Sequence, residues 1–146
     1  MEKPTNSLSS LRKTLKYKIY NERSVLGYPE CPICKGRFHT SEPSMHEVFI
    51  PRGVVKGCSQ EVQEKIYVPE NVVLIHEQNN CHIIAQHEMQ GKVACAVQII
   101  AYQGYENILN WMKDIDSCLK TKDFQKYSIL EDAMREYEKR NNASNR

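Results

Sequence analysis

The sequence predicts a single α+β domain, on three observations. Helical spacing of apolar residues occupies both ends of the chain, two short β-branched or apolar runs lie in the middle, and a Pro- and Gly-rich turn carrying Cys31-Pro32-Ile33-Cys34 separates the first helix from those runs. A chain of 146 residues and 17.0 kDa is long enough for one real core and too short for two independent ones with a linker. The expected layout is an N-terminal helical segment (1–28), a central core (29–90), C-terminal helices (91–140) and a flexible polar tail (141–146).

Each element has its own reason. From Ser7 to Asn21, Leu8, Leu11, Leu15 and Ile19 recur at spacings of three and four with Arg12, Lys13, Lys16 and Lys18 between them, which makes an amphipathic helix. Residues 27–44 hold Gly27, Pro29, Pro32, Gly36 and Pro43, punctuation that suits a knuckle and short hairpin. Met45 to Ile50 reads as a strand closed by Pro51-Arg52-Gly53, with His46, Val48 and Ile50 on one face. One helical turn is expected near Gln60 to Lys65. Asn71-Val72-Val73-Leu74-Ile75 is the second strand. A helix capped by Asn80 runs from Cys81 until Gly91 interrupts it. Val93, Val97 and Ile100 continue in helical register to a break at Gly104. Ile108, Met112 and Ile115 mark a further helix, and Leu130, Met134 and Tyr137 a last one from about Asp123 to Arg140.

Composition narrows the class. Apolar residues at 40% and charged residues at 26% are a globular balance, which excludes wholesale disorder. No uncharged run reaches membrane-spanning length, and MEKPTNSLSS lacks the apolar centre of a secretory signal, so a soluble cytoplasmic protein with no membrane partner is expected. Residues 1–60 hold ten Lys and Arg against five Glu, whereas 61–146 hold ten against thirteen acidic residues. That asymmetry is a mild pointer to an anionic partner. Nothing in the sequence specifies an oligomeric state.

The cysteines carry the chemistry. In a reducing compartment thiols stay free, and a Cys-x-x-Cys turn is suited to grip one edge of a zinc tetrahedron. His76 and Cys81, at the end of a strand and the start of a helix, supply a second pair, giving a Cys31, Cys34, His76, Cys81 structural Zn2+ site. A redox dithiol is the alternative, although no βαβ pattern accompanies it. Cys58, Cys95 and Cys118 lack such partners and read as packed or surface thiols.

The order of Cys31-x2-Cys34, His46, Asn71-Val-Val-Leu-Ile-His76 and Cys81-His82 resembles the zinc-knuckle branch of the HNH endonucleases, over about residues 31–87. The general style is similar to small HNH proteins encoded by bacteriophages, which would place the chain in the host cytoplasm. The resemblance implies a ββα-metal (His-Me finger) core braced by the zinc knuckle, with flanking N-terminal and C-terminal helices, and metal-dependent hydrolysis of DNA phosphodiester bonds. It makes His46 the general base, Asn71 the residue that orients it, and His82 the ligand of a second, catalytic divalent ion (Mg2+, Mn2+, Ni2+ or Zn2+).

This sequence departs from the family at two places. Met45 stands where many members have Asp or His, and His76 where cysteine is common; Glu47 is expected on the strand face away from His46. His87 lies off the helical spacing from His82, whereas Gln86 has it. Lys35, Arg37, Arg52 and Lys56 flank the knuckle and hairpin as candidate DNA-phosphate contacts, and the basic face of the first helix adds to that footprint. A zinc-stabilised DNA-binding module without catalysis is the rival reading.

Overall fold

A computed structural model describes residues 7–24, 30–38, 43–77, 80–119 and 124–144. The expected turn residues Gly27 and Pro29, the helix start at Asp123 and the end of the tail lie outside the described residues. The fold is mixed α+β and mostly helical. In chain order it comprises α1 (Ser7–Ser24), β1 (Pro43–Glu47), a 3-10 turn (Arg52–Val55), α2 (Gln60–Glu64), β2 (Val72–His76), α3 (Cys81–His87), α4 (Met89–Gln103), α5 (Tyr105–Asp116) and α6 (Gln125–Ser144).

β1 and β2 pair antiparallel, with Pro43 opposite His76, His46 opposite Val73 and Glu47 opposite Val72. Val72 to Ile75 are all buried, both faces of the strand included, because α1, α3 and α4 pack against it. A near-continuous β-branched run suits a strand covered in this way. Leu15 and Ile19, on the apolar stripe of α1, close one side of the core; Ile99, Ile108, Met112, Ile115 and Leu130 build the helical side, where α4 packs most extensively on α6. Arg23 fastens α1 to that core. Its guanidinium donates to the Val72 carbonyl and to Gln98 Oε1, each at 3.3 Å, and lies 4.7 Å above the Tyr102 ring; burial lowers its pKa to about 10.

Several boundaries differ from those the sequence predicts. β1 starts two residues early and stops at Glu47, and residues 48–50 bend instead of continuing as strand. The cause is Asn71, whose Oδ1 accepts the N–H groups of Phe49 and Ile50 at 2.9 and 3.0 Å; the second of these is the donor that a longer β1 would turn toward its partner strand. Val48, Phe49 and Ile50 are all buried, so the expected one-face alternation ends with the strand.

Gly91 does not interrupt a helix; the break falls at Glu88, whose extended backbone (φ −102°, ψ 133°) ends α3 and begins α4. Gly91 instead lets α4 close on α3, since a Cβ there would lie 2.2 Å from the Ile84 carbonyl oxygen. Asn80 holds the cap position in a left-handed conformation (φ 64°) and makes no side-chain capping bond, so it caps by position alone. The predicted break at Gly104 is present, at φ 86°, where glycine is favoured. α6 continues through residues 141–144, the first part of the tail expected to be flexible.

Candidate metal centre and adjoining cavity

The knuckle is built by backbone bonds. The Cys31 N–H donates to the Gly36 carbonyl and the Lys35 N–H returns to the Cys31 carbonyl, a tight turn that needs the left-handed φ of 63° at Lys35. Glu30 and Arg37 bridge across its base. The turn brings Cys31 and Cys34 to His76, the last residue of β2, and Cys81, the first of α3. The four ligand atoms all lie within 4.8 Å of one another.

A zinc tetrahedron with arms of about 2.3 Å has edges of about 3.8 Å, so small side-chain adjustments close the site. His76 Nδ1 is 3.2 Å from Cys34 Sγ, and its Nε2 lies 3.2 Å from the Arg37 carbonyl. A proton held at Nε2 by that carbonyl leaves Nδ1 free as a donor atom, the usual tautomer control of a metal-binding imidazole. Gly36 packs closely beside them: a Cβ there would lie 3.2 Å from His76 Cε1 and 3.3 Å from Cys34 Sγ, so a larger residue would shift two of the candidate ligands.

The thiol electrostatics fit a cation. Burial and then the neighbouring Cys31 and Cys34 thiols push Cys81 up to about 12. Burial also raises Cys31, but N–H groups of Cys34, His76 and Ile33 aimed at its sulfur outweigh that, and its net shift is downward. Three sulfurs crowded around an imidazole repel one another as thiolates unless a positive ion sits among them. The cluster is therefore compatible with a structural zinc. Of the remaining thiols, Cys95 is buried, and Cys58 and Cys118 are partly exposed.

Next to the cluster lies a cavity of about 750 Å³. His46 from β1 and His82 from α3 both line it, their rings edge-to-face with centroids 5.4 Å apart. His82 immediately follows the metal-site residue Cys81, so the first turn of α3 serves both places. His46 is 8% exposed, and burial, then the charges it would meet at His82 and Lys92, lower its pKa to about 4, partly offset by a hydrogen bond to the Ala85 carbonyl. It is therefore neutral near pH 7.

Asn71 stands behind the pair rather than in it. Fully buried, it accepts from Phe49 and Ile50 and donates through Nδ2 to the carbonyls of Ile50 and Ile66, each at 3.0 Å. Three of these bonds pin the chain that leaves β1, beginning three residues beyond His46, and the fourth ties it to the segment that precedes β2.

The charged residues fall in several places. Among Lys35, Arg37, Arg52 and Lys56, only Arg52 lines the histidine cavity. Lys35 borders a second cavity of about 520 Å³ between the knuckle and α4, while Arg37 and Lys56 are exposed away from both. Lining the histidine cavity with Arg52 are Arg12, Lys13 and Lys16 of α1. Their basic face is legible in the sequence, but its docking beside His46 is not.

Glu47, the last paired residue of β1, lines the same cavity as His46, with Oε1 3.8 Å from Arg52 Nε. Glu77 lines it too and accepts a hydrogen bond from Ser44 Oγ, and Gln86 faces it from α3, whereas His87 is exposed. Met45, the residue before His46, is buried and also borders the cavity. No helix among the described residues is long and apolar enough to cross a membrane. No protein-family model, curated protein or solved structure matches the chain.

Proposed function

We propose that this chain is a metal-dependent HNH endonuclease that hydrolyses DNA phosphodiester bonds, its β1, β2 and α3 forming a ββα-metal core braced by zinc at Cys31, Cys34, His76 and Cys81. The observation that carries the reading is the meeting of His46 and His82 on a cavity lined by four cationic side chains. Residues 36 positions apart in sequence are held there by the strand and helix for which the resemblance assigns them roles.

In this reading His46 takes the proton from the attacking water. Its neutral state near pH 7 leaves a ring nitrogen able to accept, and the bond to the Ala85 carbonyl fixes the other as N–H. Asn71 positions His46 through the loop that follows it and touches no substrate. Water attacks phosphorus, the bond to the 3′ oxygen breaks, and the products carry 5′ phosphate and 3′ hydroxyl ends. Arg12, Lys13, Lys16 and Arg52 hold the backbone. His82 is the protein ligand for the divalent ion, which when bound neutralises charge developing on the phosphate. The donor set for that ion is thinner than for zinc, since Met45 contributes no hard ligand.

Plasmid nicking in Mg2+, Mn2+, Ni2+ and Zn2+ tests the proposal. Wild type nicks in at least one ion, and His46→Ala and His82→Ala lose about 10²-fold or more while zinc content and circular dichroism stay unchanged. Full cutting by His46→Ala rejects its role. The burial of Met45 at the carboxylate position favours one rival, a zinc-stabilised DNA-binding module without catalysis. That rival predicts DNA binding with no nicking in any ion.

A further inference from the structure

This inference rests on the nuclease reading and completes its ion site. We propose that Glu47 is the second protein ligand of the divalent ion, supplying a carboxylate beside the His82 imidazole. Met45, His46 and Glu47 are consecutive residues of β1 and all three line the histidine cavity, so the cavity reaches both faces of the strand end. Alternation puts Met45 and Glu47 on the face opposite His46. On that face the buried Met45 thioether offers a hard cation little, whereas a carboxylate is the donor such ions prefer.

The protein itself makes little use of this carboxylate. The Glu47 side chain is only 11% exposed, and its Oε1 is buried with no hydrogen-bond partner among the described residues. Its ion pair with Arg52 is loose, because Nε stands 3.8 Å away, beyond hydrogen-bond reach, on a side chain that is 61% exposed. A buried acceptor without a donor is a standing cost, which a bound cation removes. Glu77, the other carboxylate on the cavity, is exposed and already accepts from Ser44 Oγ. Arg12 Nε, on the same cavity, is a buried donor equally without a partner, so an unmet acceptor and an unmet donor share one space. A phosphate arriving with its counter-ion satisfies both. Among the described residues the zinc cluster is the one group of three or more metal-binding side chains already within reach of a single ion, so Glu47 and His82 act as a pair. A pair completed by phosphate and water suits an ion that keeps part of its water shell. The oxygen ligand tilts the choice toward Mg2+ and Mn2+, since imidazole alone suits Ni2+ and Zn2+ better.

The test titrates the full zinc-loaded chain with MnCl2 or NiCl2 without DNA. Mn2+ binding is read by loss of the free-ion EPR signal and Ni2+ binding by calorimetry. Wild type binds one Mn2+ beyond its zinc. Glu47→Gln, which keeps the shape and removes the charge, and His82→Ala each weaken that binding about tenfold or more, with zinc content and circular dichroism unchanged. Glu77→Gln leaves it unchanged, as does Arg52→Ala. Glu47→His turns the preference from Mn2+ toward Ni2+. Wild-type affinity in Glu47→Gln, no Mn2+ bound by wild type, or a loss in Arg52→Ala equal to that in Glu47→Gln overturns the proposal. Plasmid nicking scored alongside separates the two readings. If Glu47→Gln binds Mn2+ like wild type while wild type nicks and His46→Ala does not, this proposal falls and the nuclease reading stands. Mn2+ binding that depends on Glu47 and His82, with no nicking in any ion, supports the ion site and rejects the nuclease reading instead.

Discussion

Replacing Asn71 by alanine is the sharpest test of how the cavity is held. The side chain makes four buried hydrogen bonds, two accepted from the N–H groups of Phe49 and Ile50 and two donated to the carbonyls of Ile50 and Ile66. Deleting it strands all four backbone groups, each worth about 1–3 kcal/mol when left unsatisfied in the interior. Water entering the space vacated by the amide recovers some of this, so the expected loss is about 3–6 kcal/mol, against a domain stability of about 5–15 kcal/mol. With a urea m-value of about 2 kcal/mol/M, the unfolding midpoint falls by about 2 M, read by circular dichroism. Asn71→Asp separates donors from acceptors. It keeps both N–H bonds but faces two carbonyls with a carboxylate, which raises its pKa in the fold above the ordinary 3.9. A raised carboxyl is tolerated while protonated and destabilises as pH climbs through its folded pKa. The deficit of Asn71→Asp relative to wild type is therefore larger at pH 7.5 than at pH 5.5. An alanine variant within 1 kcal/mol of wild type, or an aspartate deficit that shrinks with rising pH, refutes this account of the loop.

Three further outcomes are expected. Elemental analysis finds one zinc per chain; stripping it with a strong chelator lowers the melting temperature by at least 10 °C, and Cys34→Ser no longer retains the metal, whereas an unchanged melting curve rejects the site. Gly91→Ala gains about 1 kcal/mol of helix propensity but forces a Cβ to 2.2 Å from the Ile84 carbonyl oxygen, so it destabilises by about 2–4 kcal/mol net, and a stabilised variant contradicts the packing of α3 on α4. For His46, whose folded pKa of about 4 lies below the ordinary 6.5, the stability tied to the neutral ring is present above pH 6.5 and lost as pH falls toward 4. The advantage of wild type over His46→Gln shrinks by up to about 3 kcal/mol across that window, and a constant difference in urea titrations rejects the depressed pKa.

What was legible in the sequence is what local chemistry decides. Cys31 and Cys34 needed only their spacing and a Gly-rich turn to be read as half of a metal site, and His76 and Cys81 only their places at the end of one element and the start of the next. The run from Val72 to Ile75 announced itself by side-chain type. Illegible were the features set by contact across the chain. Nothing near Glu47 signals that β1 stops there, because the competing acceptor is Asn71, 24 positions later, and local chemistry alone reads Asn71 as the opening residue of the second strand. Glu88 carries no breaker chemistry, yet the helix parts there, and Gly91, the residue that seemed to mark the break, is instead where α4 comes close to the Ile84 carbonyl. The same logic governs the charges. Periodicity identified the face of α1 that Leu15 and Ile19 bury, but an amphipathic pattern says nothing of what lies across its polar edge. Lys13 and Lys16 acquire meaning only once that edge is found beside His46 and His82. The candidate site thus divides by range: its zinc-compatible cluster is written in short spacings, and the adjoining cavity depends on how helix, strand and turn are brought together.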